Sequence, residues 1–162
     1  MVAPPNTISQ LSHAMVIRTT GSTGSTVGAL NEWNPRINRT LTDLYEFGPV
    51  TGKYASNPGE PFEVVPGNVS GMQIDVRRWD LYNEQVETIF TGASQDITML
   101  SNQFDAFGLR EVWNSPGALN NFVRIYAGVW WQDVGRTIDA KGDRTVNAGG
   151  TLRFTRRDKV NV

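Results

Sequence analysis

The sequence predicts a mainly β protein, a β-sandwich or barrel with one or two short flanking helices, an extended N-terminal arm and a long loop. Three observations lead there. Short stretches of alternating apolar and polar residues recur along the chain, set apart by Gly-, Pro- and Asn-rich breaks. Only the region from Asp80 to Glu111 changes to a helical spacing. The last quarter, Phe122 to Arg157, holds two long extended segments joined by a Gly- and Asp-rich connection.

Taken in order, residues 1–12 carry Pro4 and Pro5 among polar groups and read as an arm that a neighbour must order. Residues 13–162 read as one β-sandwich domain. Ala14 to Thr19 forms the first strand, and Gly21 to Thr26, a run of Gly, Ser and Thr, a flexible linker or wide turn. A second strand starts at Val27 and breaks at Asn34-Pro35, where proline removes a ladder donor. In Arg36 to Phe47, Ile37, Leu41, Tyr45 and Phe47 share one face, which predicts a strand buried on one side.

Residues 48–61 are too rich in Gly and Pro to continue a ladder and form a protruding loop, offering Val50, Lys53 and Tyr54 for intermolecular contact. A turn at Pro66-Gly67-Asn68 then precedes a half-buried strand, with Met72, Ile74 and Val76 facing one way and Gln73, Asp75 and Arg77 the other. The spacing of Leu81, Val86, Ile89 and Phe90, and of Ile97, Leu100, Phe104 and Phe107, predicts the short helices. Val112 and Trp113 add a short strand before a turn at 114–117.

In the final pair, Val123, Ile125, Ala127, Val129 and Trp131 alternate with Phe122, Arg124, Tyr126, Gly128 and Trp130, so both faces carry bulky or apolar groups and both need cover. Trp130 and Trp131 fall on opposite faces, one for the core and one against another layer.

The residues that carry chemistry are mostly missing. No cysteine is present, which excludes disulfides, thiolate nucleophiles and cysteine zinc sites. A single histidine, His13, cannot supply a multi-histidine metal site and is read as a packing or surface residue. Asp139, Asp143 and Asn147 have the wrong spacing for a calcium loop and read as turn residues. Glu84 and Glu87 share a helix face, and the Gly48 to Lys53 stretch lacks one residue of a phosphate loop and is followed by Tyr54. We expect no enzyme, no metal and no cofactor.

A net charge of −1 with 19% charged residues excludes the basic footprint of a general nucleic-acid binder. No apolar run reaches the ~20 residues of a spanning helix, and Met1 to Gln10 lacks the features of a signal peptide, so synthesis in the cytoplasm is expected. Arg153, Arg156, Arg157 and Lys159 form a basic cluster, opposed by Asp80, Glu84, Glu87, Asp96, Asp105 and Glu111, a pairing suited to self-association.

Several stretches together resemble the tail tube proteins of long-tailed bacteriophages, contractile or non-contractile. They are Val27 to Leu30 leading into Ile37 to Gly48, then Glu63 to Gly67, Arg77 to Tyr82, and Tyr126 to Val134 through Val146 to Phe154. The resemblance implies hexameric rings whose inner strands close a barrel, stacked into a virion tail tube through which DNA passes without specific binding. It implies as partners further copies of the chain, a sheath, a baseplate and a tail terminator, and no membrane. Val50, Lys53, Tyr54, Trp130, Trp131, Arg153, Arg156 and Arg157 are the candidate subunit contacts. A conduit should not grip phosphates, so no continuous lumenal arginine stripe is expected. Two alternatives stay open: a monomeric sugar-binding sandwich using the tryptophans, and a baseplate or tail-completion ring of the same particle.

Overall fold

The computed structural model describes residues 13–20, 23–28, 30–45, 63–79, 90, 99–114, 121–138 and 146–161. The strands are β1 (His13–Thr20), β2 (Thr23–Thr26), β3 (Leu30–Leu44), β4 (Glu63–Trp79), β5 (Phe107–Asn114), β6 (Phe122–Ile138), β7 (Val146–Arg153) and β8 (Arg156–Asn161). Helical backbone among the described residues is confined to Phe90 and a 3-10 turn at Leu100–Asn102, both inside the stretch whose spacing is helical. The chain is thus mainly β. Strand order is β2-β1-β5-β6-β7-β4-β3, with β8 also paired to β6. Contacts divide the chain into two compact units, Met1–Pro35 with Gln73–Val162, and Arg36–Met72.

The first unit is organised by β6. Its early residues lie between β5, paired from Trp113↔Phe122 to Phe107↔Val129, and β8, from Phe122↔Asn161 to Ala127↔Arg156. Its later residues pair with β7 from Trp130↔Arg153 to Ile138↔Val146. Strand β7 in turn pairs with Gln73–Trp79 of β4. The β7–β8 segment is therefore one long partner of β6, interrupted at Phe154 and Thr155.

That interruption faces a bulge at Gly128, whose φ is +63°. One extra residue in β6 shifts its register with β5 and swaps the faces of the residues that follow, up to a second irregularity between Trp131 and Asp133 that swaps them back. Before the bulge Phe122 and Tyr126 point into the core; after it Val129 and Trp131 do. The two-sided character read from the sequence is real in the first half of β6, where Val123 and Tyr126 are both buried. Ile74, Val76, Leu109, Ala148, Leu152 and Phe154 complete the core.

The second unit is the pair formed by Arg36–Leu44 of β3 and Glu63–Met72 of β4. Its apolar side chains are not covered. Ile37, Leu41, Leu44, Tyr45, Val64, Val65 and Val69 are all exposed, which corrects the expectation of a strand buried on one side. A two-stranded ribbon has no second layer of its own to bury a face against.

Four further expectations change. Strand β3 runs unbroken through Asn34-Pro35, because it ends the strand path and a missing donor at an edge breaks no ladder. Strand β4 runs through Pro66-Gly67-Asn68 without a turn; β7 reaches only Gln73–Trp79, so one side of β4 at Pro66 has no ladder to break. Within the Gly21 to Thr26 run, Thr23–Thr26 is not linker but strand β2, paired antiparallel with β1 from Ile17↔Thr26 to Thr20↔Thr23. The helical reading of Ile97 to Phe107 fails at its end, where Phe104 is 78% exposed and Phe107 begins a strand that runs to Asn114. The arm 1–12, the loop 48–61 and the connection 139–145 lie outside the described residues.

Candidate assembly surfaces

The platform that any surface must stand on is fixed by one buried carboxylate. On β5, Phe107, Leu109, Glu111 and Trp113 share a face, and Glu111 is 2% exposed. Its Oε2 accepts hydrogen bonds from Trp33 Nε1 at 3.0 Å and the Tyr126 hydroxyl at 2.6 Å. Its Oε1 accepts from Arg124 Nη1 at 2.9 Å and from Trp113 Nε1. The donors come from β3, β5 and β6, so the carboxylate ties β3 to the β5–β6 ladder. Aromatic packing follows the same route: Trp33 meets Tyr126 edge-on at 5.9 Å, and Tyr126 meets Phe154 edge-on at 5.1 Å.

Burial pushes the Glu111 pKa up, but hydrogen bonds from Tyr126, Trp33 and Trp113 and the Arg124 charge outweigh it and hold the carboxyl below its ordinary 4.5. Burial and the neighbouring carboxylate raise the Tyr126 hydroxyl. Both carboxylate oxygens of Glu111 are engaged by donors of the chain itself, so the cluster is bonded within the fold. It also leaves the acidic surface set inferred from the sequence: Glu111 is internal and serves Arg124. Asp105 is exposed, and Asp80, Glu84, Glu87 and Asp96 lie outside the described residues.

The basic residues lie on β7 and β8. Arg156 pairs with Asp158 at 2.6 Å, Lys159 lies 4.9 Å from the Phe122 ring centre, and Arg157 stands opposite Tyr126. Arg153 sits across from Trp130 on the neighbouring strand. Of the two tryptophans, Trp131 is buried, edge-on to Phe90 at 5.4 Å, while Trp130 is 40% exposed. Val50, Lys53 and Tyr54 lie outside the described residues.

Register places a polar face on β6, β7 and β4. Its rows read Thr137, Asn147, Trp79; then Gly135, Gly149, Arg77; then Asp133, Thr151, Asp75; then Trp130, Arg153, Gln73. A groove of about 450 Å³ runs along it, floored by Gly135 and Gly149. Arg77 reaches Glu32 at 3.5 Å, and Thr151 Oγ1 donates to Asp75 at 3.2 Å. Two carboxylates, Asp75 and Asp133, stand among Arg77 and Arg153, so charge is mixed on this face and no arginine stripe forms along it.

Sequence reasoning missed Glu111, Gln103 and the exposed ribbon. The first left a signal: Glu111 is a charge at an alternate position between Leu109 and Trp113, on a face otherwise apolar. The other two left none that spacing could expose.

No protein-family model matches the sequence, and a search of curated proteins gives no match. Solved structures do match. A chain of the PVC sheath–tube complex of an extracellular contractile injection system, in the extended state, aligns over 97% of this chain and 93% of its own, with a TM-score of 0.63 at 12% identity. A chain of the anti-feeding prophage tube-terminating cap aligns over 100% and 96%, with a TM-score of 0.63 at 13% identity. The SPP1 tail tube aligns over 96% and 79%, with a TM-score of 0.54 at 10% identity. At such identities the shared property is the fold, and it extends over essentially the whole chain.

Proposed function

We propose that this chain is a structural tube subunit that assembles with copies of itself into rings, six to a ring, stacked into the tail tube of a phage-like particle. The observation that carries the reading is the ribbon of Arg36–Leu44 and Glu63–Met72: Ile37, Leu41, Val65 and Val69 are exposed, and among the described residues of their unit none covers them. A partner must bury them, and the shared fold with tube complexes makes another copy the natural one. The chain acts passively, as a conduit for DNA. The mixed-charge face of β6, β7 and β4 serves as the wall, because Asp75 and Asp133 offset Arg77 and Arg153 and leave little to hold a phosphate. Sheath, baseplate and terminator proteins are its partners, and its place is the virion tail.

A second reading is favoured by the equally good match to a tube-terminating cap: a ring that caps a tube without elongating. Negative-stain imaging of the purified protein separates them. Rods with a central channel are expected for the tube subunit, single rings for the cap, and a persistent monomer excludes both. Changing Leu41 and Val69 together to serine is expected to abolish rods while leaving the circular dichroism of the monomer unaltered, since both side chains are already exposed.

A further inference from the structure

The four donors that converge on Glu111 are not held alike. Trp113 lies on β5 itself, and Arg124 and Tyr126 lie on β6, so the β5–β6 ladder keeps them near the carboxylate. Trp33 alone of the four comes from outside that ladder. Its neighbours on β3 are tied at the surface: Asn31 Nδ2 donates to Asn147 Oδ1 at 2.7 Å, and Glu32 lies 3.5 Å from Arg77 with both side chains about half exposed. Exposed pairs of that kind contribute little. Of these three ties, the one made by Trp33 reaches into the core.

Acid adds one hydrogen too many to this cluster. An ionised carboxylate only accepts, at about four lone-pair positions, and four N–H and O–H groups already point at it. The two indoles and the guanidinium only donate, so a proton on Glu111 finds an acceptor only if Tyr126 turns its hydroxyl round. Protonation also removes the charge that draws Arg124 in. Among the described residues the other charges on this side are cationic and persist in acid: Arg157 and Lys159 of β8 stand opposite Tyr126 and Arg124. The β8 carboxylate, Asp158, stands opposite Ile125 and pairs with Arg156. On β1, Val16 is the register partner of Glu111 and Arg18 that of Leu109.

Beyond Trp33 the strand runs without a turn into the ribbon. Both strands are weakened where the ribbon begins, since Pro35 offers no N–H on β3 and Gly71 of β4 sits at φ +60°. Arg36–Leu44 extends for ~30 Å, so a turn of about 10° at its root carries its far end about 5 Å. That exceeds the separation at which apolar side chains touch.

We propose that Glu111 is an acid-operated clasp: protonating it releases Trp33 and the root of the ribbon while the core around β6 stays folded, and so undoes the contacts the ribbon makes with neighbouring copies. Its last step rests on the tube-subunit reading; the release of Trp33 belongs to the single chain. With the folded carboxyl held below its ordinary 4.5, the clasp is closed at neutral pH and opens as pH falls through that lower value. The core has its own fastening. Gln103, buried, accepts from the Trp131 N–H at 3.0 Å and donates to the Val129 carbonyl at 3.3 Å.

Two readings along an acid titration of the full chain test this. The first is the indole N–H resonance of each tryptophan, recorded by NMR on the chain carrying Leu41→Ser and Val69→Ser, with Trp33→Phe to assign its signal. The Trp33 resonance is expected to shift below pH 4.5 while that of buried Trp131 holds its position. The second is the rod fraction of the unmodified chain by sedimentation, expected to fall over the same range with far-ultraviolet circular dichroism unchanged. Glu111→Gln, which cannot ionise, is expected to raise the concentration for half-assembly roughly tenfold at neutral pH and to flatten its pH dependence. Should that variant not fold, Trp33→Phe, which removes the donor and keeps a ring, has the same expected result. Leu152→Ala, a cut in the core, is expected to lower thermal stability and leave the pH of rod loss in place, as is Glu32→Gln without the loss of stability. Trp33 and Trp131 signals lost together, or a pH of rod loss that moves with Leu152→Ala, would overturn the clasp. Release of Trp33 with rods intact would overturn its link to assembly. An unmodified chain that forms no rods at any pH would overturn the tube reading, and the Trp33 resonance would still decide the clasp.

Discussion

Replacing Glu111 by alanine is expected to destabilise the protein by about 3–5 kcal/mol, because it strands the half-buried Arg124 guanidinium together with two half-buried indole donors and the buried Tyr126 hydroxyl. The Trp33, Trp113 and Tyr126 donors and the Arg124 guanidinium all converge on this one carboxylate. Urea unfolding at a fixed, low protein concentration measures the effect, and a loss below about 1 kcal/mol would mean the cluster contributes little net. Acid provides an independent check. A carboxyl held below its ordinary 4.5 in the folded chain contributes stability that is fully present above that value and is lost as pH falls through the folded pKa. The wild type should therefore lose stability below about pH 4.5, and Glu111→Gln, already weakened at neutral pH, should show a shallower fall over the same range. Equal acid slopes would remove Glu111 as the source.

Gly128→Ala is expected to cost about 2–4 kcal/mol, the sum of a left-handed backbone for an alanine and a steric clash. The backbone sits at φ +63°, and a Cβ there would strike Oγ1 of Thr155. Thr155 is itself held, donating from both its N–H and its hydroxyl to the Ala127 carbonyl at 3.0 and 3.1 Å. Combining Gly128→Ala with Thr155→Ala should return the clash portion of the loss and leave the backbone portion. A double variant that is no more stable than Gly128→Ala alone would locate the cost in the dihedral angle only. The changeover from Tyr126 to Val129 and Trp131 as core residues depends on this bulge, so partial loss should also be visible as a shift in tryptophan emission.

How much of this could be read from residues alone differs by feature. The two-sided burial of β6 was legible because Val123 and Tyr126 both break the usual alternation of apolar and polar groups. The β-rich class was legible from the alternation itself, which recurs along the chain between Gly-, Pro- and Asn-rich breaks. Gly128 was not, since glycine in a strand has the same spelling whether it bulges or continues; only its φ distinguishes the two. The unbroken courses of β3 and β4 were missed because Pro35 and Pro66 terminate central strands but not edges, and edge status is a property of the sheet. The exposed ribbon was misread for a related cause: alternation in Ile37 and Leu41 says that a face will be buried, and is silent on whether the cover belongs to the same molecule. Gln103 was illegible altogether, its role resting on the position of β6 backbone 26 and 28 residues away.

The division of the chain into a core unit and a thinly packed ribbon also sets the tempo of its fluctuations. Amide protons of Arg36–Leu44 and Glu63–Met72 lie in a ribbon whose apolar side chains are exposed and should exchange with solvent through local opening, far faster than those of β6, which require opening of the core. In the proposed assembly, where neighbouring copies cover the ribbon, its exchange should slow towards that of β6, so that the polymerised fraction of a sample can be followed at single amides without separating assemblies from free chains.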